Sequence, residues 1–119
     1  MHGSSAVPQD WLAIINEFGG EIPETYGVPV EQVAEGIKYG VRKVNIDTDL
    51  RLASTGSIRQ FLAQNPAEFD PRKYFNASLV AMRDICVARY EAFGTAGNAS
   101  KIKPLSLAKV QEAYSEGHF

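Results

Sequence analysis

The 119-residue chain contains one cysteine, Cys86, and only two histidines, His2 and His118. A single cysteine excludes an internal disulfide and any metal site built on paired cysteines. No apolar run approaches the roughly 18 residues that a membrane-spanning helix needs, and the N-terminus lacks the basic-then-apolar pattern of a secretory signal. The net charge of −2 gives no support for binding to nucleic acid or to a membrane surface. We therefore expect a soluble, cytoplasmic protein.

Hydrophobic residues make up 45% of the chain and charged residues 22%, which is typical of a folded domain rather than a disordered segment. Prolines and glycines divide this domain into segments whose apolar residues recur at helical spacing. Asp70-Pro71 is a strong helix start, an N-cap acid followed by proline at the first helical position. The pattern predicts five helices: residues 8–19, 29–40, 49–63, 71–93 and a short one capped by Ser106.

Residues 41–46 follow the second of these helices, and their β-branched side chains predict one short strand. A lone strand has unpaired backbone groups along both edges, so its neighbours must come from elsewhere. A polar loop at residues 2–5, then helix, strand and helix, is the order found in a repeating βα array. The sequence thus predicts an α/β protein, mostly helical here, with about one and a half βα units.

The densest group of polar side chains, residues 44–51, lies where this strand gives way to the third helix. The carboxyl ends of strands are where α/β proteins place their chemistry. Other interpretations remain open from the residues alone. Asp47 and Thr48 suit a helix N-cap, Asn45 suits a turn, and Arg51 suits a solvated helix surface.

Five segments, taken together, resemble class II (zinc-dependent) fructose-1,6-bisphosphate aldolase. The resemblance implies that residues 1–119 are the C-terminal portion of one (β/α)8 TIM-barrel domain, from the end of strand seven through strand eight to the last helices. The segments that carry it are His2-Gly3-Ser4-Ser5, Val7-Pro8-Gln9, Glu24-Thr25-Tyr26-Gly27-Val28-Pro29, Lys43-Val44-Asn45-Ile46-Asp47-Thr48-Asp49-Leu50-Arg51-Leu52-Ala53 and Phe69-Asp70-Pro71-Arg72-Lys73.

The resemblance also implies roles at the end of the substrate that becomes dihydroxyacetone phosphate. His2 is implied as one of three histidine ligands of a catalytic zinc ion, Zn2+, although an isolated histidine is by itself more typical of a surface or capping residue. Asn45 is implied as the catalytic residue that contacts the substrate near its reacting carbon. The implied cradle for the proximal phosphate consists of Gly3, Ser5, Thr48 and the backbone of Asp47.

A second group of residues is implied at the far phosphate of the sugar bisphosphate. Arg51 matches an arginine that binds this phosphate from the same subunit, and a planar guanidinium suits phosphate oxygens. Asp70 and Arg72 match a pair that reaches the same phosphate from a neighbouring subunit, which implies a homo-oligomer. On local pattern alone, these two residues are a helix cap and a solvated charge. Trp11, Cys86 and the tyrosines are interpreted as packing residues.

The implied reaction is the reversible cleavage of fructose 1,6-bisphosphate into dihydroxyacetone phosphate and glyceraldehyde 3-phosphate. Two alternatives remain open: a tagatose-bisphosphate aldolase, whose substrate differs at one stereocentre, and a non-catalytic helical module that binds phosphate or a partner. A catalytic zinc needs three protein ligands, and this sequence offers His2 alone at the matched loop. We therefore expect the isolated 119-residue chain to be inactive.

Overall fold

The computed structural model describes residues 1–118. The described part is helical, and its five helices confirm the five predicted segments, with ends that differ by only a few residues. A single 3-10 turn, which the sequence did not predict, covers Ala99–Lys101. The helices are α1 (Gln9–Glu17), α2 (Val30–Lys38), α3 (Thr48–Gln64), α4 (Pro71–Ala92) and α5 (Leu107–Ser115).

Two of the predicted helix caps are present. The Asp70 carboxylate accepts a hydrogen bond from the backbone N–H of Arg72 at 3.0 Å, one residue after Pro71. The Ser106 hydroxyl accepts from the backbone N–H of Lys109 at 3.4 Å. Each cap satisfies an N–H group that the first helical turn leaves without an internal partner.

The predicted strand is wrong. Residues 41–47 have no regular secondary structure, and no strand occurs within residues 1–118. Two backbone hydrogen bonds nevertheless flank Val44: the amino group of Met1 donates to Lys43 O at 2.5 Å, and Asn45 N donates to Met1 O at 3.1 Å. One residue bonded to both neighbours of the facing residue is the pattern of a parallel pair. A ladder needs further paired residues, and here the pairing stops at Met1.

Helix α3 lies at the centre, with α1 and α4 packed against it. Its small residues permit the close approach: a Cβ atom at Gly56 would stand 2.8 Å from Cε3 of Trp11. The Ser54 and Ser78 hydroxyls join α3 to α4 at 2.7 Å. One cluster of the apolar core comprises Val7, Ile15 and Leu52, with Trp11, Leu12 and Ile22 packed around them. Trp11 is thus a packing residue, as expected.

Several helix faces that the sequence pattern marks as apolar are exposed. Leu79 and Tyr90 on α4 are 62% and 59% exposed, and Leu107 on α5 is 73% exposed. Helix α5 packs against no other helix within the described residues. The packing role expected for the tyrosines is wrong within this chain for the four whose side chains are largely exposed: Tyr26, Tyr39, Tyr90 and Tyr114. In residues 1–118 no helix is both long and apolar enough to cross a bilayer.

Candidate functional site

Two loops far apart in sequence meet beside the start of α3. We call residues 1–7 the first loop and residues 41–47 the second loop. Besides the bonds that flank Val44, the buried Ser4 hydroxyl donates to Asn45 O at 2.7 Å. Glycine is needed at Gly3, where φ is +62°. The candidate residues of these loops therefore lie side by side.

The N-terminus of α3 is capped from the first loop rather than by its own residues. The Ser5 hydroxyl accepts from the backbone N–H of Thr48 at 3.2 Å and from that of Asp47 at 3.4 Å. The predicted local cap is wrong for Asp47, whose carboxylate instead binds Arg51 through Nε at 2.9 Å and a terminal nitrogen at 2.8 Å. The two backbone N–H groups at the start of α3 therefore donate to a single oxygen atom. A helix start favours a negatively charged oxygen at such a position.

His2 and Asn45 face each other across the two loops. Their side chains are 2.9 Å apart, between the imidazole Nδ1 and the amide Nδ2. The amide oxygen of Asn45 also accepts from the Lys43 ammonium at 2.6 Å. Asn45 is therefore fixed from both sides, while His2 remains exposed.

A buried ion pair that the sequence did not predict lies behind this surface. The Asp49 side chain is fully buried; Oδ1 accepts from Val7 N at 3.0 Å, and Oδ2 accepts from Arg89 at 2.9 Å. In the helical spacing of α4, Arg89 falls among the apolar positions, where its aliphatic stem can pack, but its guanidinium binds Asp49. A charged residue among apolar positions, with an unassigned acid in the first turn of another helix, was the available signal.

The segment around Gly27 supports the first loop from outside. Val28 N donates to Ser5 O at 3.0 Å, and the Gln9 side-chain amide donates to Val7 O and to Thr25 O at 2.8 and 3.1 Å. A Cβ atom at Gly27 would overlap Ser5 O and stand 2.7 Å from the Ala6 carbonyl carbon. Glycine is required there because backbone approaches backbone.

Replacing Gly27 with alanine is expected to lower the free energy of unfolding by about 1–3 kcal/mol, because the loop must move to admit the methyl group. Gly36 in α2 is the matched control. Among the described residues, its Cβ would meet Val41 Cγ2 alone, at 3.4 Å, so alanine should leave the stability unchanged or raise it by up to about 1 kcal/mol. Chemical denaturation of both variants beside the parent checks this, and equal stability of the two would contradict the close approach.

Asp70 and Arg72 form a separate site at the start of α4. Arg72 binds both carboxylate oxygens of Asp70, and this guanidinium holds the pKa of Asp70 below its ordinary value. Beside them, the Lys73 ammonium lowers the pKa of Glu68 through a hydrogen bond at 2.5 Å. Within residues 1–118, no hydrogen bond or ion pair joins Asp70 or Arg72 to the two loops. Arg72 is 88% exposed, so its guanidinium is accessible.

The described chain does not form a metal centre by itself. No group of three or more histidine, cysteine, aspartate or glutamate side chains in residues 1–118 is placed to hold a metal ion. His2 is the imidazole of the two loops, and His118 pairs with Glu116 at 3.2 Å in the tail. A catalytic zinc takes three protein ligands, so these residues fit one position of such a site and not the whole.

Comparisons with known proteins point to one enzyme family. Residues 1–98 match the family model of class-II fructose-bisphosphate aldolase. Over 117 residues, or 98% of this chain, it is 80% identical to a fructose-bisphosphate aldolase of Pseudomonas aeruginosa and 61% identical to one of Nostoc sp.. A fructose-bisphosphate aldolase class 2 of Synechocystis sp. is 58% identical over the same length. Each match covers 33% of the relative, so the chain spans about a third of the length of these relatives.

Proposed function

Because this chain belongs to the class-II fructose-bisphosphate aldolase family, we propose that it supplies the C-terminal third of an aldolase barrel. The barrel would cleave fructose 1,6-bisphosphate reversibly into dihydroxyacetone phosphate and glyceraldehyde 3-phosphate, in the cytoplasm. The hydrogen bonds that flank Val44 support this placement: in a (β/α)8 barrel, the ends of strands seven and eight are parallel neighbours. Phosphate sites in barrels frequently use the loops that follow these two strands.

The observation that carries the proposal is the contact between the Ser5 hydroxyl and the first N–H groups of α3. In the proposed complex, the phosphate of dihydroxyacetone phosphate lies at this position. Gly3 lets the backbone come close to the anion, the Ser5 hydroxyl donates a hydrogen bond to it, and Thr48 and the Asp47 backbone N–H donate from the helix start. The positive end of the α3 dipole favours the phosphate charge.

His2 and Asn45 are proposed to act at the reacting end of the substrate. When bound, a zinc ion would supply a Lewis acid beside the substrate ketone. His2 would hold one position on it through Nε2, since Nδ1 faces Asn45. The remaining ligands would lie in parts of the barrel outside this chain. Asn45, oriented by Lys43, would donate its amide N–H to the substrate oxygens near the reacting carbon.

Arg51, Asp70 and Arg72 are proposed to bind the distal phosphate. Arg51 and its partner Asp47 are 75% and 68% exposed, so their ion pair is weak and the guanidinium is available to a phosphate. Asp70 orients Arg72 through both carboxylate oxygens. The separation of this pair from the two loops is compatible with service to the site of a neighbouring subunit in a homo-oligomer.

The test is an activity assay of the full-length barrel enzyme that contains residues 1–119. We expect zinc-dependent cleavage of fructose 1,6-bisphosphate, lost on chelation and restored by zinc. Tagatose 1,6-bisphosphate, supplied in parallel, distinguishes the two aldolase specificities: preferential cleavage of tagatose bisphosphate would assign the alternative substrate. Absence of both cleavages in a zinc-loaded, folded enzyme would contradict an aldolase function and favour a non-catalytic role.

The purified 119-residue chain is expected to show no aldolase activity, whether or not zinc is added. It offers one matched histidine, and its described residues contain no three-ligand cluster. A coupled assay for triose phosphate release, with the full-length enzyme as the positive control, measures this. Zinc-dependent turnover by the short chain, scaling with its concentration, would show the expectation to be wrong.

A further inference from the structure

We propose that Asp49 and Arg89 form a positioning pair that holds the first loop in the shape required by the phosphate cradle. The inference rests on the proposed function, since the cradle is part of it. Neither side chain hydrogen-bonds to a candidate substrate-binding side chain. The pair therefore acts through the backbone it holds.

The two oxygens of the buried Asp49 carboxylate bind different partners. Oδ1 of Asp49 accepts from Val7 N at 3.0 Å, while Oδ2 accepts from Arg89 through two nitrogens at 2.9 and 3.3 Å. The Arg89 side chain is only 14% exposed. A hydrogen bond to an ionised, buried acceptor is among the strong ones in a protein. One side chain thus joins the first loop, the first turn of α3 and the last turns of α4.

Val7 needs such a restraint because its backbone is strained. Its φ of +53° lies in the left-handed region, and within residues 1–118 no other residue except glycine has a positive φ. A β-branched residue is a genuine outlier there. Val7 stands two residues after Ser5, whose hydroxyl meets the start of α3. If the φ of Val7 returned to a negative value, the backbone of the first loop would turn and the Ser5 hydroxyl would move away from the start of α3.

Charge supplies a second reason for Arg89. Asp49 follows Thr48 in the first turn of α3, and its Oδ1 binds the backbone N–H of Val7, two residues after Ser5, so the carboxylate is tied to both sides of the proposed cradle. An unpaired negative charge there would repel the phosphate strongly, since buried charges are little screened. Arg89 neutralises this carboxylate at 2.9 Å without occupying the cradle. Because its charge is neutralised, the buried Asp49 carboxylate does not oppose the binding of an anion at the cradle.

The test uses the full-length barrel enzyme and measures proton exchange on dihydroxyacetone phosphate. We expect Arg89→Met to raise KM by about tenfold or more, while kcat per folded site changes by less than about twofold. A merely structural role would lower the folded fraction and leave KM alone, because KM does not depend on how much enzyme is active. Arg89→Lys keeps the charge but lacks the planar fork, so KM should rise about threefold.

The controls separate this inference from the proposed function. Asp84→Asn changes an exposed acid on the same helix as Arg89 and should leave KM unchanged. Ser5→Ala removes a cradle hydroxyl and should raise KM. A parent enzyme without exchange activity, or a Ser5→Ala variant with unchanged KM, would overturn the proposed cradle and this inference with it.

With the cradle supported, an unchanged KM in folded Arg89→Met overturns the positioning role alone. If Arg89→Met does not fold, Arg89→Lys decides: a raised KM supports the role, and the parent value overturns it.

Discussion

Replacing Arg89 with methionine is expected to lower the free energy of unfolding by about 3–5 kcal/mol, because it leaves the Asp49 carboxylate buried without its ion-pair partner. Asp49 is fully buried and Arg89 is its only ion-pair partner within residues 1–118. Methionine keeps most of the aliphatic volume, so the change reports the charge rather than a cavity. Denaturant titration of the variant and the parent measures the difference.

Arg83→Met is the matched control for this expectation. Arg83 also lies on α4 and also pairs with an aspartate, Asp84 at 3.2 Å, but both side chains are more than half exposed, at 72% and 61%. Exposed pairs contribute little, so the control should change stability by less than about 1 kcal/mol. A loss at Arg89 no larger than the loss at Arg83 would show that the buried pair is not a major stabilising contact.

Removing Arg51 or Arg72 is expected to reduce the catalytic efficiency for fructose 1,6-bisphosphate by tenfold to a hundredfold. The reason is the loss of a charge-assisted hydrogen bond to the distal phosphate, worth roughly 1.5–3 kcal/mol. Proton exchange on dihydroxyacetone phosphate should change much less, because that molecule carries only the proximal phosphate. Both reactions are measured for Arg51→Ala and Arg72→Ala in the full-length enzyme.

Comparing the two assays tests which phosphate the arginines bind, and mixed oligomers test the subunit assignment. An equal fall in cleavage and exchange would mean that the arginines serve the proximal site or the fold. Arg42→Ala is a suitable control, since its guanidinium donates to the backbone oxygens of Ile37 and Val41 and has no proposed role in the site. If Arg72 reaches the neighbouring site, oligomers mixed from Arg51→Ala and Arg72→Ala subunits contain some sites that have both arginines. Partial recovery of cleavage in these mixed oligomers would support a contribution across the interface.

Local signals in the sequence were sufficient to predict the helices. The Asp70 and Ser106 caps act within three residues of their position, so a short window of sequence contains both partners. The regular spacing of apolar residues predicted the remaining helix positions. The strand over residues 41–46 could not be judged in this way, because a strand exists only through pairing with other strands. Here its described partner is Met1 alone.

The contacts that shape the candidate site join residues about forty positions apart. Ser5 caps α3 in place of Asp47, and Arg89 binds Asp49. A charge among the apolar positions of α4 marks Arg89 as unusual, but the spacing within one segment identifies neither partner. The resemblance to aldolases marked His2, Ser5 and the start of α3 as one site, and the geometry brings them together. It gave no role to Asp49 or Arg89, since both lie behind the surface that we propose meets the substrate.

The most direct measurement for the central claim is the KM for dihydroxyacetone phosphate in the exchange reaction of Ser5→Ala, made in the full-length enzyme. The account predicts a rise of about tenfold or more, from the loss of one hydrogen bond to a charged phosphate. Ser115→Ala should keep the parent KM, because it removes a hydroxyl on α5 whose one hydrogen bond within residues 1–118 is to Glu112 O. An unchanged KM in folded Ser5→Ala would contradict the placement of the proximal phosphate between the two loops.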